Sequence, residues 1–129
     1  MPGWDAIVVE NLNAAQTLGD AGHHRSSVSR AYYAAFAASS FVLKVRAPFA
    51  RGRGTPPHHE VPGLLEQQLS HLSPRGMRNL LTAVSRLYKN RITADYQSGR
   101  TVDVHSALQA RRDAYAVCRQ LGVVNASSH

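Results

Sequence analysis

The sequence predicts an all-α protein, an antiparallel four-helix up-and-down bundle with a short extra helix. Three observations carry this expectation. Apolar residues recur at helical spacing along almost the whole chain, and no segment shows the alternation of a strand. The breaks between periodic segments are short and rich in Gly, Pro, Ser and Asp. The stretch Arg30-Ala31-Tyr32-Tyr33-Ala34-Ala35-Phe36 sets three aromatic rings among small residues on about two helical turns, which suits a helix at the centre of a bundle.

The elements follow in order. Trp4, Ile7, Val8, Leu12, Ala15 and Leu18 mark a first amphipathic helix, with Gly19 as its stop signal. After the turn Asp20-Ala21-Gly22, a second helix runs from about His23 to Arg46. Its stripe is Val28, Ala31, Ala35, Val42 and Val45, flanked by Tyr32, Phe36 and Leu43. So short a turn makes these two helices antiparallel neighbours. Pro48, Gly52, Gly54, Pro56 and Pro57 exclude a helix from Ala47 to Pro57, and a flexible loop is expected over about 47–59. Val61, Leu64, Leu65, Leu69 and Leu72 mark a short third helix. Ser73-Pro74 reads as the N-cap and first position of the fourth, whose stripe is Met77, Leu80, Leu81, Val84, Leu87, Tyr88 and Ile92. Gln97-Ser98-Gly99 ends it. Thr101 is the expected cap of a fifth helix carrying Val104, Ala107, Leu108, Ala114, Cys118 and Leu121, and Gly122 is its stop. The whole is one domain over 1–122, with a loose tail over 123–129.

Composition narrows the function classes. No apolar run reaches the ~18 residues of a membrane span. The N-terminal residues lack the pattern of a secretory signal. Cys118 is the single cysteine, so neither an internal disulfide nor a Cys-based zinc site is available, and a cytoplasmic protein is expected. The net charge of +7 is uneven. Residues 1–22 carry three acids and no Lys or Arg, whereas residues 23–100 hold twelve of the fifteen basic side chains. A basic middle after an acidic start points to an anionic partner, with a solvated Arg-rich surface as the plainer reading.

Several residues interrupt the helical patterns. Arg91 continues the apolar stripe of the fourth helix, where an unpaired guanidinium would be costly. Asp95 lies one turn later and is its expected partner, either fixing the packing or shaping a groove. Arg75, Arg78, Arg86 and Lys89 form a basic stripe on the other side of that helix, able to track phosphates or simply to face solvent. Arg51 and Arg53, in Arg51-Gly52-Arg53-Gly54, add a basic loop tip without the pattern of a P-loop. His58-His59-Glu60 and His71 lack the spacing of a metal site, so neither a metal nor another cofactor is expected. No nucleophile elbow is present.

Two segments carry a family resemblance. Ser29-Arg-Ala-Tyr-Tyr-Ala-Ala-Phe36 resembles the second-helix signature of the HEPN superfamily, in its small prokaryotic branch. Leu87-Tyr88-Lys89-Asn90-Arg91-Ile92-Thr93-Ala94-Asp95-Tyr96 is similar to that branch's Leu-Tyr-x-x-Arg-x-x-Ala-Asp-Tyr. The resemblance implies a helical bundle that dimerises and works on RNA or nucleotides. Many members are metal-independent ribonucleases of toxin–antitoxin and defence systems, and others are non-catalytic partners of minimal nucleotidyltransferases.

The ribonuclease members use an Arg-x(4–6)-His motif, often Arg-Asn-x-x-x-His-x-Tyr. With Tyr96 on the motif tyrosine, Lys89 stands at the arginine and Ala94 at the histidine. Alanine transfers no proton, so the usual site is degenerate. Arg100/His105 and Arg53/His58 also match Arg-x4-His, away from the usual helix position.

The expected function is therefore a non-catalytic or weakly catalytic homodimer of a toxin–antitoxin or defence module. It would bind RNA, or a minimal nucleotidyltransferase or antitoxin protein. Arg30, Tyr33, Arg91, Asp95 and Tyr96 would shape its groove or interface, and Arg51, Arg53, Arg75, Arg78, Arg86 and Lys89 would contact anions. The alternatives are a ribonuclease toxin with a displaced Arg–His pair and a purely structural interaction module.

Overall fold

The computed structural model describes residues 3–46, 58–69 and 71–123. The expectations placed on Arg51, Arg53 and the rest of 47–57, on the Val45 side chain and on residues 124–129 lie outside them.

The order of elements is α1 (Trp4–Asp20), α2 (His24–Arg46), a single 3-10 turn (His58–Glu60), α3 (Val61–Gln68), α4 (Pro74–Tyr96) and α5 (Val104–Gln120). The described residues form an all-α bundle of four long helices and one short one. Helix α2 packs against each of the other four. Its small residues explain this position: Ala31, Ala34, Ala35, Ala37, Ala38, Ser27, Ser39 and Ser40 are all buried. With no bulk at these positions, neighbouring backbones come close, and Leu43, Val8, Val28, Leu65, Leu80, Leu87 and Val117 fill the remaining core.

Contacts between helices fix their directions. Ser27 Oγ near the start of α2 donates to Ala15 O near the end of α1 at 2.6 Å, as in an antiparallel pair. Arg25 reaches the end of α4 while Tyr32 meets Tyr88, so α2 and α4 are antiparallel too. Between α4 and α5, Arg86 bonds Asp113 and Gln120 Nε2 donates to Gly76 O at 3.0 Å, which again sets opposite directions.

Three helix ends differ from the sequence expectation. Helix α1 runs past Gly19, and Gly22 takes the left-handed conformation at φ +86°. Gly22 N donates to Gly19 O and His23 N to Leu18 O, the paired bonds of a Schellman stop. Gly19 serves instead as a close-approach point: a Cβ there would lie 2.7 Å from Arg111 Nη1 and 3.0 Å from Ser27 Oγ. Helix α3 ends before Leu69 and Leu72, although Leu69 is buried.

Helix α5 is capped by Asp103, not Thr101. The Asp103 carboxylate accepts from Ser106 N at 3.0 Å and from Ser106 Oγ at 3.2 Å, and these bonds hold its pKa below the ordinary value. The expected cap Ser73 does accept from Gly76 N, at 3.0 Å, and opens α4. Val123, assigned to the tail, closes a second Schellman stop by donating to Cys118 O after Gly122 at φ +76°. His58 and His59, assigned to the loop, form the 3-10 turn.

Candidate functional site

The site begins with Tyr33 and Arg91, brought together where α2 and α4 cross. Arg91 Nη2 donates to the Tyr33 hydroxyl at 3.0 Å and to the Tyr96 hydroxyl at 3.3 Å. Its guanidinium carbon lies 5.6 Å from the ring centres of Tyr32 and Tyr33 and 5.2 Å from that of Tyr96. Three phenol rings thus surround one cation, at cation–π distances. Asp95 Oδ2 lies 2.9 Å from Arg91 Nε, one helical turn along. That N–H does not point at the carboxylate, so the contact is an ion pair without an aligned hydrogen bond. The Arg91 side chain is only 12% exposed. Burial opposes its charge, but the Tyr33 and Tyr96 phenols and the Asp95 carboxylate outweigh burial and hold its pKa above the ordinary value.

Arg30 completes the cluster. Its guanidinium carbon is 5.1 Å from the Tyr33 ring centre, and its Nη1 donates to Asn11 Oδ1 at 3.3 Å. No carboxylate among the described residues forms an ion pair with Arg30. Asp95, the ion-pair partner of Arg91, also accepts from Ser29 Oγ at 3.4 Å. The sequence-predicted groove residues Arg30, Tyr33, Arg91, Asp95 and Tyr96 form one cluster.

His58 enters the same cluster from the 3-10 turn. Its Nδ1 and the Tyr32 hydroxyl are hydrogen-bonded, and its ring stacks on Phe36 with centres 4.1 Å apart and an angle of 11°. Burial lowers the His58 pKa, and the Arg91 charge lowers it further. Burial raises that of Tyr32, against the pull of Arg91. Both shifts favour neutral partners, and the imidazole tautomer sets which of the two donates. The sequence matched His58 with Arg53, which is outside the described residues. The arginine that the structure sets near His58 is Arg91.

The basic stripe is divided from this cluster. At 100° per residue, Lys89 and Arg91 point about 160° apart on α4. Arg75, Arg78 and Lys89 are exposed and make no ion pair among the described residues. Arg86 is corrected: its Nε and Nη2 donate to the two oxygens of Asp113 at 2.6 and 2.7 Å. Asp113 is 4% exposed and also accepts from Gln109 Nε2 at 3.0 Å. A buried carboxylate needs such a counterion, so Arg86 is a clamp between α4 and α5, not an open anion contact.

Other candidates stand apart. Ala94 is buried, so the motif position lacking its histidine faces the core. Arg100 and His105 are exposed, and no hydrogen bond or ion pair joins them. Cys118 is buried and its pKa is pushed up to about 12, as an inert thiol requires.

Sequence reasoning missed Tyr32 as a site residue, Asp113 as a buried acid, and Arg25. Arg25 Nη1 donates to Thr93 O, Ala94 O and Gln97 O at 3.1, 3.0 and 3.3 Å, and its Nη2 donates to Ser98 O at 3.4 Å and to Arg100 O. It closes the carbonyl end of α4 and so steadies the turn that carries Asp95 and Tyr96. Asp113 did have a signal: it falls three residues after Ala110 and four before Val117, on the buried face of α5.

Fold and site together define a small helical bundle with a partly buried arginine among three tyrosines. A family model of the HEPN domain matches residues 9–122, and the chain belongs to that family. No curated protein matches it. None of its described helices is long and apolar enough to cross a membrane.

Proposed function

We propose that this protein is a non-catalytic or weakly catalytic HEPN subunit that binds single-stranded RNA, within a toxin–antitoxin or defence module. The observation that carries the reading is the Tyr33 ring with Arg30 and Arg91 at cation–π distance, of which only Arg91 has a carboxylate ion-pair partner, Asp95, among the described residues. An excess of positive charge next to phenol rings suits phosphates and unstacked bases. Tyr96, 67% exposed, offers a ring on which a base can stack. The same exposed tyrosine beside an arginine suits a protein contact, and a second copy of the chain or a minimal nucleotidyltransferase or antitoxin protein is the proposed partner.

Anisotropy of a fluorescent single-stranded RNA tests the reading. Binding is expected to weaken as salt rises. Tyr96→Ala is expected to weaken it by about tenfold, with Tyr96→Phe close to the parent, because stacking is worth ~1–3 kcal/mol per base. No anisotropy change at low salt overturns the reading. So does unaltered binding by Tyr96→Ala, and retained self-association or capture of a purified nucleotidyltransferase would then favour the protein-interaction role.

A second reading rests on His58. The Tyr32–His58 pair, with Arg91 over the Tyr32 ring, sets a group able to exchange protons near a cation, the two elements that cleavage through a 2′-hydroxyl needs. Cleavage of RNA in EDTA that is lost in His58→Ala supports it. Intact RNA at micromolar protein opposes it.

A further inference from the structure

Tyr32 also lines a cavity of about 200 Å³ between α2, α3 and α4. Phe36, His58, Tyr88 and Val84 line it, and Ser85 and Lys89 stand among its lining residues. The lining joins aromatic and aliphatic side chains to the exposed Ser85 and Lys89, so the space is a pocket open to solvent. A cavity of ~150 Å³ with apolar walls takes one benzene ring, so this one has room for a single flat ring system.

We propose that this cavity binds a small molecule made of a flat aromatic ring bearing an anionic group. Tyr32, Phe36, His58 and Tyr88 bring four aromatic rings to the lining, with Phe36 and His58 stacked on each other, and such walls suit a planar aromatic guest. Charge selects the other end of the guest. Lys89 is exposed, lines the same cavity, and forms no ion pair among the described residues. Ser85 is exposed beside it and can donate a hydrogen bond to an anion. Donors without a matching acid, set against stacked rings, recognise an aromatic acid better than a neutral hydrocarbon or a cation. The pocket shares Tyr32 and His58 with the arginine cluster but is not lined by Arg30, Tyr33, Arg91 or Tyr96, and the proposal stands whether or not RNA binds at those residues.

Calorimetric titration of the full chain with indole-3-acetate, with neutral indole and with uridine 5′-monophosphate tests the proposal. Indole-3-acetate is expected to bind saturably at one site, about fivefold more tightly than indole, the scale of an exposed ion pair. Lys89→Met is expected to reduce its affinity to that of indole and to leave indole unchanged. Ser85→Trp, which fills the mouth from an exposed position, is expected to block both ligands with an unaltered melting curve. Displacement by the nucleotide identifies a nucleotide as the source of the ring and anion, and its failure identifies an aromatic carboxylate. Absence of saturable binding, equal affinity for indole and indole-3-acetate, or parent-like binding by a folded Ser85→Trp variant overturns the proposal.

Discussion

The Tyr33 hydroxyl accepts from Arg91 Nη2 at 3.0 Å, and the Tyr33 ring has Arg91 and Arg30 at cation–π distance. One phenol thereby holds two cations on neighbouring helices. Tyr33→Phe keeps the ring and removes the acceptor. It is expected to cost about 1 kcal/mol of stability, the scale of one hydrogen bond to a partly exposed charged donor, read as a shift in the denaturant midpoint. Tyr33→Leu also removes the π face and is expected to cost more. Equal midpoints for the two variants would mean that the ring contributes nothing beyond the hydroxyl.

The Arg86–Asp113 clamp is asymmetric, with the arginine side chain 46% exposed and the aspartate side chain 6%. Removing the arginine leaves a buried carboxylate with Gln109 alone, whereas removing the aspartate leaves a guanidinium that can turn to water. Arg86→Met is therefore expected to destabilise by about 3 kcal/mol, and Asp113→Asn by less. The Arg86→Met/Asp113→Leu pair is expected to recover most of the loss. Urea unfolding of the three variants as a double-mutant cycle checks both the order and the recovery.

What was legible in the sequence follows from the range of the interactions. Helical stripes, the Ser73 cap and the Gly122 stop depend on residues within a turn or two, and the structure reproduces them. Gly19 misled because two glycines stand three residues apart. Gly22 stops the helix through its positive φ, while Gly19 is required by the closeness of Ser27 and Arg111, which periodicity does not carry. Arg25, Arg86 and His58 were illegible for the same reason. Their partners Ala94, Asp113 and Tyr32 lie 69, 27 and 26 residues away in the chain, and only tertiary packing brings them together.

His58 makes stability depend on pH with a definite sign. Burial and Arg91 lower its folded pKa below the ordinary 6.5, so at falling pH the unfolded chain takes up this proton first. Stability from this group is complete above about pH 6.5 and declines as pH drops from there toward the folded value. Protonation would also leave Nδ1, the ring nitrogen bonded to Tyr32, able only to donate. His58→Phe keeps a ring over Phe36 and loses the titration. Its melting temperature is expected to fall less steeply than the parent's between about pH 6.5 and 5, and parallel pH curves would contradict this assignment.

Arg25 supports the site from behind. The last carbonyls of a helix lack partners within it, and one guanidinium here serves Thr93, Ala94, Gln97, Ser98 and Arg100 at once. The next turn holds Asp95 and Tyr96 in register with Arg91. Arg25→Gln is too short to reach so many acceptors and is expected to cost about 1–2 kcal/mol overall. The loss should concentrate at the end of α4. Gln97 N donates to Thr93 O at 3.2 Å and Arg100 N to Gln97 O at 3.0 Å, so these two amides report its opening directly. Hydrogen exchange in Arg25→Gln is expected to accelerate at both, while amides around Leu80 and Leu87 slow or quicken only with global stability. Uniform acceleration along α4 would instead make Arg25 a general stabiliser with no particular hold on the Asp95–Tyr96 turn.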